Sequence, residues 1–257
     1  MPDNTALLSF LIPFALCWGS FLNVLAYRLV YGRPLFRGRS ACPECDHAIA
    51  WYDLIPVVSW FVLGGICRHC QQPISPLYPA IELLTVVACV ALVLLLPAHT
   101  WLAYWLFFSA LLITIHTDMR TMLIARHVTL FALPLGVISA WLGLIPITAS
   151  QSILGAGFGY YLLYSIAYVY YRLTGRAGIG EGDFELLAFI GSFTGIVGCW
   201  VTLLLGSLLG TLAGLPLLIM QPEDARTRAI PFGPFLALGA MLYVLYQKEL
   251  VSLLLGL

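Results

Sequence analysis

The sequence predicts an all-α polytopic membrane protein. Of its 257 residues, 61% are hydrophobic and only 9% are charged, against roughly 25% charged in an average soluble domain. The apolar residues also gather into runs of about 20, the length that crosses a bilayer as a helix. A chain solvated by lipid needs that much apolar surface, whereas an ordinary core does not. The formal net charge is zero, so the total says nothing about acidic partners; no nucleic acid is expected among the partners.

The first run starts near Ala6. Met1-Pro2-Asp3-Asn4-Thr5 places no basic residue ahead of it, so a retained span at 6–27 is expected rather than a cleavable signal. Further spans are expected at 80–97, 100–116, 128–147, 152–171, 184–200, 202–220 and 230–247, about eight in all. The stretch 184–220 is too long for one helix, and Gly195, Gly198 and Gly206 permit a turn inside it. The apolar tail after Lys248-Glu249 either extends the last helix or lies at the interface.

Basic residues set the topology. With eight spans, Arg28, Arg33, Arg37, Arg39, Arg68, Arg120, Arg126, Arg172, Arg176, Arg226 and Arg228 share one side, 11 of the 12 basic residues, and only Lys248 falls opposite. Those loops are expected in the cytoplasm and both termini outside. Three regions follow: a first transmembrane helix at 1–28, a cytoplasmic loop domain at 29–79, and a transmembrane domain at 80–257.

The loop domain has fewer than fifty residues between Tyr31 and Pro79, too few for a core without a staple or metal. Cys42-Pro-Glu-Cys45 and Cys67-Arg-His-Cys70 stand 21 residues apart, and two such turns present four thiolates as zinc prefers. A reducing cytosol disfavours structural disulfides there. Redox motifs or unrelated buried thiols are the alternative. His47 and His69 lie beside the turns and are expected outside the ligand set, while Cys17, Cys89 and Cys199 fall in apolar spans as small hydrophobes.

Asp118 closes the third span, after Leu111-Leu-Ile-Thr-Ile-His-Thr117, and Asp183 opens the sixth from the same side, after Gly178-Ile-Gly-Glu-Gly182. Ionisable groups at that depth are expensive and point to function. Two neighbouring carboxyls share a proton, so one can deprotonate a water while the other protonates a scissile carbonyl. The glycines before Asp183 let an extended chain approach closely. The alternative makes Asp183 a helix N-cap and Asp118 a partner of Arg120 or Arg126.

The sequence resembles the type IV prepilin peptidases, bifunctional leader peptidases and N-methyltransferases, from about Leu16 to Gly195. The resemblance rests on Gly19-Ser-Phe-Leu-Asn-Val24 with Tyr27-Arg28, Cys42-Pro-x-Cys45, Trp51-Tyr-Asp-Leu-Ile-Pro-Val-Val-Ser-Trp60 and Cys67-Arg-x-Cys70. It continues through Pro73-Ile-Ser75, Tyr78-Pro-x-x-Glu82-Leu-Leu-Thr85 and Gly180-Glu-Gly182-Asp183-Phe-x-Leu-Leu-Ala188. The Gly-x-Gly-Asp element is also similar to that of presenilin-like intramembrane proteases.

The resemblance implies that Asp118 and Asp183 are the catalytic pair. It implies prepilin and type II secretion pseudopilin precursors as partners, each with a short basic leader ahead of a hydrophobic helix. Cleavage is expected after Gly on the cytoplasmic face of a bacterial inner membrane. The new amino terminus is then expected to take a methyl group from S-adenosylmethionine, an activity linked to the zinc-bearing loop and the N-terminal motifs. Glu82, Asn23 and Arg28 are the candidate residues for that cofactor; a supporting or packing role is the alternative for each.

This sequence departs from the family pattern at two places. Leu123-Ile-Ala-Arg126 replaces an Ile-Pro-Asp element, and Glu185 stands where Lys is common. Both bear on pH optimum and leader preference rather than on reaction class. Two other readings are a peptidase without methyl transfer and a transporter or assembly scaffold. A transporter would place its acids near mid-membrane among broken helices.

Overall fold

The structure is a computed structural model, and it describes residues 4–35, 38–176, 178, 180–220 and 230–255. Met1, Pro2, Asp3, Arg37, Ile179, Arg226 and Arg228 lie outside the described residues. Apart from two isolated β-bridges, the regular structure among the described residues is helical. The chain forms two compact units, residues 1–95 and 96–257.

The first unit is a helical pair with a loop folded between its strands of sequence. Helix α1 spans Asn4–Val30 and α3 spans Leu77–Leu95. They meet at Gly19, where a Cβ would come within 2.8 Å of the Glu82 Cα; a small residue is what lets membrane helices approach. The loop contains a 3-10 turn at Trp51–Leu54 and the short helix α2 at Val58–Val62. Trp60 ties α2 to the loop's end by donating its indole N–H to the Ile74 carbonyl at 3.0 Å. Trp51, by contrast, is exposed.

The second unit comprises α4 (Trp101–Thr121), α5 (Arg126–Trp141), α6 (Ala149–Thr174), α7 (Glu181–Met220), α8 (Gly233–Leu245) and α9 (Gln247–Leu255). Helix α4 is its centre, buried from Phe107 through Asp118, with Phe107 stacked on Phe193 of α7 at 4.5 Å between ring centroids. Helices α6 and α7 cross on small residues, and Ser152 Oγ donates to the Ser192 carbonyl at 2.5 Å. The α6 N-terminus is closed by a capping box between Thr148 and Gln151.

Helix α7 is two arms joined at Gly195, whose φ of 69° and ψ of −173° are not helical. Contacts along it establish the direction of each arm. Gly182 lies against Ile124, which also touches Gly233 at the start of α8. Gly198 lies against Tyr243 near the far end of α8, Gly206 against Leu236, and Gly214 against Ile230. The chain therefore runs away from the α8 start, reverses at Gly195 and returns antiparallel to α8. Of the three glycines expected to permit a turn, Gly195 makes it, ahead of the boundary expected between the spans 184–200 and 202–220. Gly198 and Gly206 stay helical and serve close packing.

Among the described residues, five helices, Ala6–Val30, Leu77–Leu95, Ala98–Thr121, Ala149–Thr174 and Glu181–Pro216, are long and apolar enough to cross a membrane. The pair Gly233–Leu245 and Gln247–Leu253, bent by 97°, makes a sixth if counted as one span. The protein is thus a multi-pass membrane protein with a four-cysteine cluster between its first two spans. The expected count of about eight differs for two reasons: 128–147 holds a 16-residue helix containing Pro134, and 184–220 is continuous but for its reversal at Gly195.

Candidate functional site

Asp118 lies in the last turn of α4 and is 5% exposed. Its Oδ2 accepts the Gly233 backbone N–H at 3.0 Å. Gly233 opens α8 and Pro234 follows it in the first turn, so a free helix N-terminal donor points at a carboxylate. A Cβ at 233 would fall 2.7 Å from Asp118 Oδ2, so any other residue there would displace the carboxyl. The Asp118 carbonyl also accepts the N–H of Met122, which ends α4 in the left-handed conformation at φ 56°.

Asp183 is the third residue of α7 and half-buried. Its N–H donates to the Gly180 carbonyl at 3.1 Å, and it lies within the first helical turn rather than ahead of it as a cap. The structure brings it close enough to Asp118 for the two carboxyls to interact electrostatically. Arg126, an alternative partner for Asp118, is instead paired with Glu185 at 2.8 Å. Arg126 and Glu185, far apart in sequence, therefore meet as one ion pair. Gly233 had escaped notice as a site residue. The signal was present in Pro231-Phe-Gly-Pro234, since Pro in a first turn marks a helix start.

The cysteines of the first unit also come together. The Sγ atoms of Cys42, Cys45, Cys67 and Cys70 lie within 4.8 Å of one another, and Cys42 Sγ is 3.8 Å from Cys70 Sγ. A tetrahedron of Zn–S bonds of about 2.3 Å has S···S edges of roughly 3.8 Å, so the cluster fits zinc. The two turns are built alike. Cys42 N–H donates to His47 O and Asp46 N–H to Cys42 O, while Cys67 N–H donates to Gln72 O and Gln71 N–H to Cys67 O. Asp46 and Gln71 both have positive φ, 51° and 59°. Backbone hydrogen bonds from Cys70 and His69 bring the Cys67 thiol down to about 7, whereas burial pushes the Cys42 thiol up. His47 and His69 stack on each other at 4.2 Å; the ligand cluster comprises the four cysteines alone.

Beside the cysteines lies a cavity of about 480 Å³. Asn23, Arg28 and Glu82 all line it, with Tyr27, Tyr52 and Trp60. Each of the three is already committed to backbone. Asn23 donates to the Tyr78 carbonyl at 3.0 Å. Arg28 donates to the carbonyls of Leu35 and Gly38 at 2.7 and 2.9 Å. Glu82, 7% exposed, accepts the Val57 N–H on Oε2 at 2.7 Å, with the polar side chains of Ser20 and Asn23 beside it. Val57 is a β-branched residue at φ 62°, a strained conformation that persists only where surroundings enforce it. Nearby, Arg68 grips Asp53 through two hydrogen bonds of 2.9 and 2.8 Å and holds its carboxyl below the usual range.

Comparison with known proteins gives a consistent picture. Residues 14–96 match the Bacterial Peptidase A24 N-terminal domain, and residues 105–215 match the Type IV leader peptidase family. The chain is 35% identical to a prepilin leader peptidase/N-methyltransferase of Aeromonas hydrophila, over 92% of this chain and 90% of that protein. It is 32% identical to the protein of that name from Pseudomonas aeruginosa, over 97% of this chain and 96% of the relative. The corresponding Burkholderia pseudomallei protein is 34% identical, over 97% and 88%. No solved structure matches the chain.

Proposed function

The chain belongs to the type IV leader peptidase family, and from that premise we propose that it is a membrane aspartic endopeptidase and N-methyltransferase of prepilins. It removes the short basic leader of type IV prepilins and type II secretion pseudopilins after Gly, then methylates the exposed amino terminus from S-adenosylmethionine. The observation that carries the proteolytic half is the meeting of Asp118 and Asp183 at the ends of α4 and α7, with the Gly233 N–H on one of them.

The chemistry needs two carboxyls and one water. The ionised carboxyl takes a proton from the water as its oxygen attacks the scissile carbonyl, and the protonated one gives its proton to the carbonyl oxygen. When the tetrahedral intermediate collapses, the C–N bond breaks and the amine leaves with a proton from the pair. The Gly233 N–H orients the Asp118 carboxyl throughout. The bare backbone of Gly180, where an added Cβ would meet only the Asp183 carboxyl, leaves room beside Asp183 for an extended substrate.

In this reading Cys42, Cys45, Cys67 and Cys70 hold a structural zinc that supplies the loop with the staple its size demands. When bound, S-adenosylmethionine supplies an electrophilic methyl group on a sulfonium. The cavity beside the cysteines suits it, at about 480 Å³ within the range of small-molecule sites. Tyr27, Tyr52 and Trp60 line it and give it the aromatic surface that a purine stacks on, with Arg33 and Arg68 already over one face of the two tyrosines. Glu82, Asn23 and Arg28 hold the wall of that pocket through their backbone contacts.

The finer topology also belongs to the proposal: about eight crossings of the bacterial inner membrane, arginine-rich loops in the cytoplasm and termini outside. Reversal at Gly195 supports it, because each arm of α7 then makes its own passage. The test is incubation of the full-length protein with a prepilin precursor and labelled S-adenosylmethionine. Cleavage is expected from wild type and not from Asp118→Asn or Asp183→Asn. Label on the trimmed product supports the second activity, and its absence leaves a peptidase alone.

A further inference from the structure

Glu185 is a second buried carboxylate at the start of α7 that hydrolysis leaves without a task. Its Oε1 lies 2.8 Å from Arg126 Nε, and its Oε2 is enclosed with no hydrogen-bond partner. The two side chains are unequally placed, 68% exposed for Arg126 and 10% for Glu185. Water can solvate the guanidinium if the pair breaks, whereas the carboxylate stays largely enclosed, its Oε2 fully so. Removing Arg126 therefore strands a buried charge, while neutralising Glu185 leaves only a solvated arginine.

Local structure gives no reason for an arginine at this position. Arg126 is the first residue of α5, where a positive charge opposes the helix dipole. Ala125, at the N-cap, provides no side-chain cap, and the first turn holds no acid. What the arginine gains lies across the gap, on α7. The link between α4 and α5 gives that contact a consequence. Its left-handed residue Met122 is held by the Asp118 carbonyl, and its Ile124 lies against both Gly182 and Gly233. Gly182 adjoins Asp183, and Gly233 donates to Asp118. The link is thus fastened at one end by α4 and at the other by the ion pair, with Ile124 pressed on the backbone beside both carboxyls.

We infer that Arg126 and Glu185 form a positioning pair that holds this link and the first turn of α7 in the register that keeps Asp118 and Asp183 together. The inference rests on the proposed hydrolytic role of those aspartates. Four full-length variants test it by cleavage kinetics on a prepilin precursor: Arg126→Gln, Glu185→Gln, the double Gln variant, and the exchange Arg126→Glu with Glu185→Arg. Arg126→Gln is expected to lower kcat about tenfold with KM within about twofold, because a small misplacement of reacting groups is costly. Glu185→Gln, which still accepts a hydrogen bond, is expected to stay within about threefold of wild type. The double Gln variant returns to the Glu185→Gln level, and the exchange recovers most of the loss, since coupled sites are not additive. Wild-type kcat in Arg126→Gln overturns the inference. So does a double Gln variant whose loss is the product of the single losses. Failure of the hydrolytic reading shows separately, as cleavage by Asp118→Asn or Asp183→Asn.

Discussion

Substituting Gly233 with alanine tests how closely the Asp118 carboxyl is held. The added Cβ would lie 2.7 Å from Asp118 Oδ2 and 3.3 Å from Ile124 Cδ1. Ordinary contact begins at about 3.4 Å, so the carboxyl must retreat by about 0.7 Å or α8 must shift. Either movement stretches a 3.0 Å hydrogen bond whose acceptor is charged, an interaction of about 1.5–3 kcal/mol. Displacement of a reacting group by about 1 Å can cost roughly 100-fold, so a loss of about 10- to 100-fold in kcat is expected. The assay is steady-state cleavage of a prepilin precursor. Gly157→Ala serves as the matched control, because nothing lies within 4 Å of a Cβ at that position. Wild-type turnover in Gly233→Ala would refute the argument that this N–H orients Asp118.

Three further perturbations address the rest of the molecule. Glu82→Ala leaves the strained Val57 peptide without its acceptor, at a cost of about 1–3 kcal/mol; methyl transfer is expected to fall, and Val57→Gly in the same chain to restore much of it. A double variant no better than Glu82→Ala would show that Glu82 acts on the substrate or donor directly. Cys42→Ser is expected to abolish stoichiometric zinc in a reducing preparation and to make the 40–75 loop protease-sensitive, whereas full zinc content would exclude the four-thiolate site. Gly195→Ala forces a Cβ into φ 69° and ψ −173° with no neighbour nearer than 3.9 Å. Its cost is therefore conformational, about 1–3 kcal/mol, and a thermal midpoint unchanged from Gly157→Ala would argue against a rigid reversal there.

Features that stand out chemically from an apolar background were legible in the sequence. Asp118 and Asp183 are charges at the edges of apolar runs, and paired Cys-x-x-Cys spacing has few readings. Helix locations followed from run length, since a bilayer demands it. What escaped depends on tertiary packing. Three glycines were eligible for the turn in 184–220, and only the seating of Gly198 on Tyr243 and Gly206 on Leu236 leaves it to Gly195. Arg126 and Glu185 read as two separate departures because nothing local announces that α5 and α7 begin side by side. The donors from Gly233 to Asp118 and from Val57 to Glu82 are backbone groups, which every residue but proline possesses and which carry no side-chain signature.

The central claim is that Asp118 and Asp183 act together on the peptide bond. Its most direct measurement is single-turnover cleavage by Asp118→Asn and Asp183→Asn, with methyl transfer to an already trimmed pilin as the control for an intact protein. Each Asn variant is predicted to leave the precursor uncut while still methylating the trimmed substrate. Cleavage at the wild-type rate by either variant would contradict the account.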